Sequence, residues 1–243
     1  MSARSRLLHA TSLICVLAFS ACLDFQEPAI PDLDAPAVAQ IAVRTFDNGV
    51  LQVDGSLQPG RDSTGFQRVL QSPFVHVNEL LVQPVALGDR GQRNYSLTIP
   101  APPRNTGGPY RILLPDVRDA GTMPLVQWNG LLKLDPDTII APRGGDIVLH
   151  MDTIAAPSSP APFRQWFLDI RAGFRTFRIS SDGLPPLTLR IPAEWVPLST
   201  DPRATVSLIY FQTGQVRSST NDYIANLTLD VRLSWNVRFT ETR

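Results

Sequence analysis

The chain has 243 residues, 22 of them basic and 22 acidic, and 43% of it is hydrophobic. That balance gives no sign of the basic footprint of a nucleic-acid binder, which needs a clustered basic face. Its 22 prolines are spread along the length, and because each costs about 3 kcal/mol in a helix interior they exclude long helices.

The first element is an apolar run, Leu13 to Ala21, preceded by Arg4 and Arg6 with no acid between. A helix needs roughly 20 apolar residues to cross a bilayer, so this run is too short to span one and reads instead as an export signal. It closes on Leu17-Ala18-Phe19-Ser20-Ala21-Cys22. This segment resembles the lipobox of bacterial lipoproteins, with Phe19 where that pattern usually has an aliphatic residue. The resemblance implies removal of residues 1–21 and acylation of Cys22, which would hold the protein at a membrane. Leu23 stands where an Asp would favour inner-membrane retention, so the implied address is the outer membrane. The alternative is an ordinary secretory signal cut after Ser20, with Ala18 and Ser20 as its small residues.

Removing residues 1–21 leaves 20 basic and 22 acidic residues, because Arg4 and Arg6 depart with the signal. Cys15 departs too, so Cys22 is the one remaining thiol and no disulfide is expected. Residues 22–37 are acidic and proline-spaced and are expected to form a tether.

Beyond the tether the governing signal is alternation with period two. Short alternating runs occur at 75–87, 95–99, 110–114, 147–151, 166–170, 174–179, 187–191 and 204–211. The clearest covers 227–240: Leu227, Leu229, Val231, Leu233, Trp235, Val237 and Phe239 on one face, polar residues on the other. This is the pattern of a strand with one buried and one wet face, long enough that a bend or bulge is expected within it. Asn48-Gly49, Asn129-Gly130 and Asp182-Gly183 are hairpin signals, since these residues tolerate positive φ.

The expected fold class is therefore all-β, with two tandem antiparallel β-sandwich domains at 38–134 and 135–243 and one continuous large sandwich as the alternative. The second segment, with about seven strands and Trp166 in the middle, resembles bacterial Ig-like domains in general, and the first is Ig-like in a looser sense.

Candidate chemistry is sparse. His76 and His150 are the histidines beyond the signal. His150 has Asp152 two residues on, on the same strand face, a pair that could act as an acid–base couple or bind a divalent ion; the plainer reading is a surface hydrogen bond. Asp135 and Asp137 offer hard oxygen ligands but an incomplete calcium set, and a polar turn accounts for them. No Gly-x-Ser-x-Gly elbow, phosphate-binding glycine loop or zinc-protease motif occurs. Trp166 and Trp235 are expected in the core. Trp195, bracketed by Pro192 and Pro197, and Trp128, before Asn129-Gly130, are the candidate ligand contacts, because a loop aromatic can stack on a sugar or anchor a protein. The other reading of Trp195 is a plug over the end of the sandwich.

Together these residues lead us to expect a lipid-anchored envelope protein with a non-catalytic binding or scaffolding role. Its expected partners are the membrane, through the lipid, and an envelope protein or glycan, with no nucleic acid, cofactor or metal. The alternative is a carbohydrate-binding or carbohydrate-active, hydrolytic envelope lipoprotein, which would need two converging carboxylates.

Overall fold

The protein was analysed as a computed structural model, which describes residues 34–87, 91–100, 109–118, 120–121, 125–155 and 162–241. Cys22, the signal and most of the tether lie outside the described residues.

The fold is all-β, as expected. Its largest unit is a nine-stranded sheet built on two long strands, β17 (Arg203–Arg217) and β18 (Tyr223–Thr240). On one flank β17 pairs with β14 (Phe163–Ala172), which pairs with β15 (Arg175–Asp182). On the other flank β18 meets two strands in succession. Its first half runs parallel to β1 (Ala37–Phe46), and its last residues run parallel to β12 (Thr138–Pro142). Beyond β1 come β2 (Val50–Gln58), β7 (Arg93–Pro100) and the short β6 (Ala86–Leu87).

Alternation decides what this sheet does. Along β18, Tyr223, Ala225, Leu227, Leu229, Val231, Leu233, Trp235 and Val237 are buried. Their neighbours on β17 (Val206, Leu208, Tyr210) and β1 (Ala39, Ile41, Val43) continue that face. They join one apolar core with the shorter strands, which form a four-stranded sheet of β10 (Val126–Trp128), β8 (Tyr110–Leu113), β4 (Val75–Val77) and β5 (Leu80–Val82). A three-stranded sheet of β11 (Gly130–Lys133), β13 (Ile147–Ile154) and β16 (Thr188–Ile191) adds to it, and β3 (Leu70–Ser72) pairs with β9 (Asp116–Val117).

Four expectations are corrected. The large sheet takes β1, β2, β6 and β7 from segment 38–134 and β12, β14, β15, β17 and β18 from segment 135–243, so the two segments share one sheet instead of each closing its own sandwich. That sheet is mixed, because β1 and β12 run parallel to β18. The terminal strand starts at Tyr223 and carries no bulge against β17: the register is unbroken from Arg203↔Arg238 to Arg217↔Ile224. Strands on both edges hold it in register along most of this length. Finally, of the three expected hairpin signals only Asn48-Gly49 makes one. Gly49 has φ +80°, and the Asn48 side chain accepts from the Val50 N–H. Asn129-Gly130 and Asp182-Gly183 each carry the chain from one sheet to another.

Candidate functional site

Two regions gather the residues singled out above. One is the junction where β1, β11 and β18 meet. Lys133 ends β11, and its side chain is nearly buried, with a relative exposure of 9%. Its ammonium donates to Asp137 Oδ1 at 2.6 Å, to the Ser234 carbonyl at 2.6 Å and to Asp47 Oδ2 at 3.4 Å, and sits 5.3 Å from the centroid of the Trp235 ring. Asp47 belongs to the Asn48-Gly49 turn and also accepts from the Ser234 N–H and hydroxyl. The Lys133 ammonium holds the Asp137 carboxyl below the usual carboxylate range. A cavity of about 210 Å³ opens beside these groups.

His150 lies next to this junction, on β13. Its ring Nδ1 is 3.0 Å from Asp135 Oδ1, and its backbone N–H donates to Asp135 Oδ2. The partner of His150 is thus Asp135 and not Asp152, whose carboxylate accepts from the Thr153 N–H. Asp135 and Asp137 each face a donor, Asp135 the His150 groups and Asp137 the Lys133 ammonium, which is the polar-turn arrangement. Among the described residues no group of three or more His, Cys, Asp or Glu side chains is placed to hold a metal ion. His76 lies half-buried on β4, opposite Leu81 and Leu113.

The second region is the end of the large sheet where β12, β14 and β18 finish and β15 and β17 begin. Pro192 enters a single 3-10 turn, Ala193–Trp195, closed by Trp195 N–H to the Pro192 carbonyl at 3.0 Å. Asp146 pins this turn, accepting from the Ala193 N–H at 3.1 Å and from Arg190 Nε at 2.5 Å. Those two donors hold its carboxyl below the ordinary range, Arg190 contributing most. Trp195 then stacks on Phe177 of β15, ring centroids 5.7 Å apart and planes 26° off parallel. It is half-buried against the core, so it plugs the end of the sheet. The residues after it form one wall of a cleft of about 170 Å³ lined by Ala172, Val196, Pro197, Leu198 and Phe239, with Arg143 at the rim.

Trp128 is not a ligand contact. It is fully buried, as the alternation with Val126 on β10 could have indicated, and its ring packs on Gly214. Trp166 and Trp235 are in the core as expected. Sequence reasoning also missed the two most exposed large hydrophobic side chains among the described residues, Phe174 and Leu198, with relative exposures of 104% and 86%. Phe174 follows Gly173 (φ +57°) in the two-residue turn joining β14 to β15, and a glycine opening such a turn is itself a hairpin signal.

A scan against protein-family models matched none, and no curated protein matched the sequence.

Proposed function

We propose that this chain is a lipid-anchored envelope protein, acylated at Cys22 and held at the outer membrane, with a non-catalytic binding or scaffolding role. The observation that supports this reading is the placement of the two ends. The described chain begins at Asp34 and enters the large sheet at Ala37, opposite Tyr223, where β18 starts. The Trp195 turn, its cleft and the exposed Phe174 and Leu198 lie where β18 finishes. At about 3.3 Å per residue the length of β18 separates these ends by roughly 55 Å. An anchor at one end would leave the other free to make a binding contact of its own.

Intact-mass measurement of membrane-extracted protein tests the anchor. The wild-type chain should begin at Cys22 and carry acyl mass, and Cys22→Ser should lose both that mass and membrane retention. A soluble wild-type protein beginning at Ala21 would sink this reading.

A further inference from the structure

The end of the sheet that carries Phe174 and Leu198 also concentrates positive charge. Arg203 of β17 and Arg238 of β18 are direct cross-strand partners, and both are exposed. Alternation puts both on the outer face, since Ala204 and Val237 beside them are buried. Arg171 shares that face one register step along, through Thr205. Exposed Arg175 closes the β14–β15 turn next to Phe174, and exposed Arg143 stands at the cleft.

None of these five arginines forms an ion pair among the described residues, whereas Arg178 and Arg190 nearby are each paired with an aspartate. The nearest carboxylate on the outer face, Asp169, is held by two bonds from Arg178. Asp201 accepts from the backbone N–H of Arg203. Glu194 and Glu241 are the other acids at this end.

Like charges directly opposed on neighbouring strands destabilise a sheet. In a chain whose charges otherwise balance, an unneutralised Arg203–Arg238 pair is a cost at this position, and an external anion would relieve it. The apolar neighbours say what kind of anion. Phe174 is presented on a tight turn with its whole side chain in solvent, and Leu198 stands close by: a Cβ on Gly173, the residue before Phe174, would meet Ser199 Oγ at 3.0 Å. A soluble anion gives an exposed Phe and Leu nothing to contact. A bilayer surface does, offering phosphates to the arginines and the acyl boundary to the apolar tips. We infer that the Phe174–Leu198 end of the sheet docks on an anionic phospholipid surface, with Arg203, Arg238 and Arg171 on headgroup phosphates. This does not depend on acylation of Cys22.

The test uses the full chain carrying Cys22→Ser, so that no lipid anchor contributes, in co-sedimentation with phosphatidylcholine vesicles with or without 30% phosphatidylglycerol. Binding is expected to the anionic vesicles alone and to weaken as salt rises. Each arginine near such a surface is worth about fivefold. Arg203→Ser with Arg238→Ser should therefore weaken binding roughly 25-fold without lowering the melting temperature, while Arg203→Lys with Arg238→Lys should retain most of it. Phe174→Ser with Leu198→Ser should weaken binding at least tenfold. Absence of binding, equal binding to neutral vesicles, or unchanged binding by either serine pair would overturn the inference. So would full competition by millimolar inorganic phosphate or by a soluble polyanion in a manner indifferent to Phe174 and Leu198, since that describes a simple anion site.

Discussion

The ring of Trp128 fills the space that a side chain at position 214 would need. A Cβ built on Gly214 would lie 3.1 Å from Trp128 Cζ2, in a strand whose inward face also carries Val206, Leu208, Tyr210 and Val216. Glycine in a strand interior is unfavourable in itself, so its presence here marks a close approach between sheets. Trp128 sits on the four-stranded sheet and Gly214 on the large one, and the contact fixes how closely the two can pack.

Overpacking at that contact should be measurable. Gly214→Val is expected to destabilise the protein by about 1–3 kcal/mol in denaturant unfolding, because Trp128 has no exposed side to retreat to. Adding Trp128→Leu to Gly214→Val should recover part of the loss. Full additivity of the two substitutions would show that the rings and the glycine do not share the space.

Lys133 should behave as a structural tie. Its ammonium reaches a carboxylate on the β1–β2 turn, a carboxylate on the β11–β12 turn and a carbonyl of β18. Lys133→Met is expected to cost about 2 kcal/mol, since the ammonium itself is nearly buried and its charge-assisted bonds are worth more than ordinary ones. Asp137→Asn should cost far less, because Asp137 is fully exposed. Asp47→Asn should resemble Lys133→Met, as Asp47 also holds Ser234. Chemical denaturation of the three variants checks this order.

Alkaline pH should unfold the protein through its buried tyrosines. Burial pushes the Tyr95 and Tyr210 hydroxyls up to about 12, with Tyr223 displaced further in the same direction. The unfolded chain releases these protons near pH 10 while the folded one keeps them, so stability is full below about pH 10 and falls as pH rises toward 12. Tyrosinate absorbance should appear together with the loss of tertiary circular dichroism, and Tyr95→Phe should shift the midpoint upward. Independent, earlier ionisation of all tyrosines would contradict the burial. At the acid end, Asp137 and Asp146 have folded values below their unfolded ones, so their contributions are present above the unfolded pKa and vanish as pH falls through the folded one.

Much of the fold was legible because alternation reports directly on which face of a strand is buried. The run from Leu227 to Phe239 gave the core face of β18 residue by residue, and Trp166 and Trp235 followed from the same rule. Alternation carries no information about neighbours, however. Nothing local distinguishes a strand that pairs in parallel from one that does not, so neither the meeting of β1 and β12 on one edge of β18 nor the choice between two tandem sandwiches and one continuous one is readable in the sequence. Glycine turns misled for a related reason. Positive φ reverses or redirects a chain, and whether the next strand returns to the same sheet depends on packing far away.

The site residues divide along the same line. Asn129 makes Trp128 look like a loop residue, whereas its alternation with Val126 on β10 puts it in the core. The aspartate facing His150 lies 15 residues away, across a turn, where a search at strand spacing does not look. Arg203 and Arg238 stand 35 positions apart in sequence and become neighbours only through the β17–β18 register.

That register has a consequence for the order of assembly. β18 follows every other described strand in sequence, yet β17, β1 and β12 all pair with it, and the Ser234 N–H reaches Asp47 across 187 residues of sequence. Until β18 is available β1 has only β2 among the described strands, β12 has no partner among them, and the inner face of the sheet cannot close. Long-range pairing of this kind makes folding slow. Residues 37–222 must all leave a ribosome before the large sheet can form, so they stay threadable until β18 follows them.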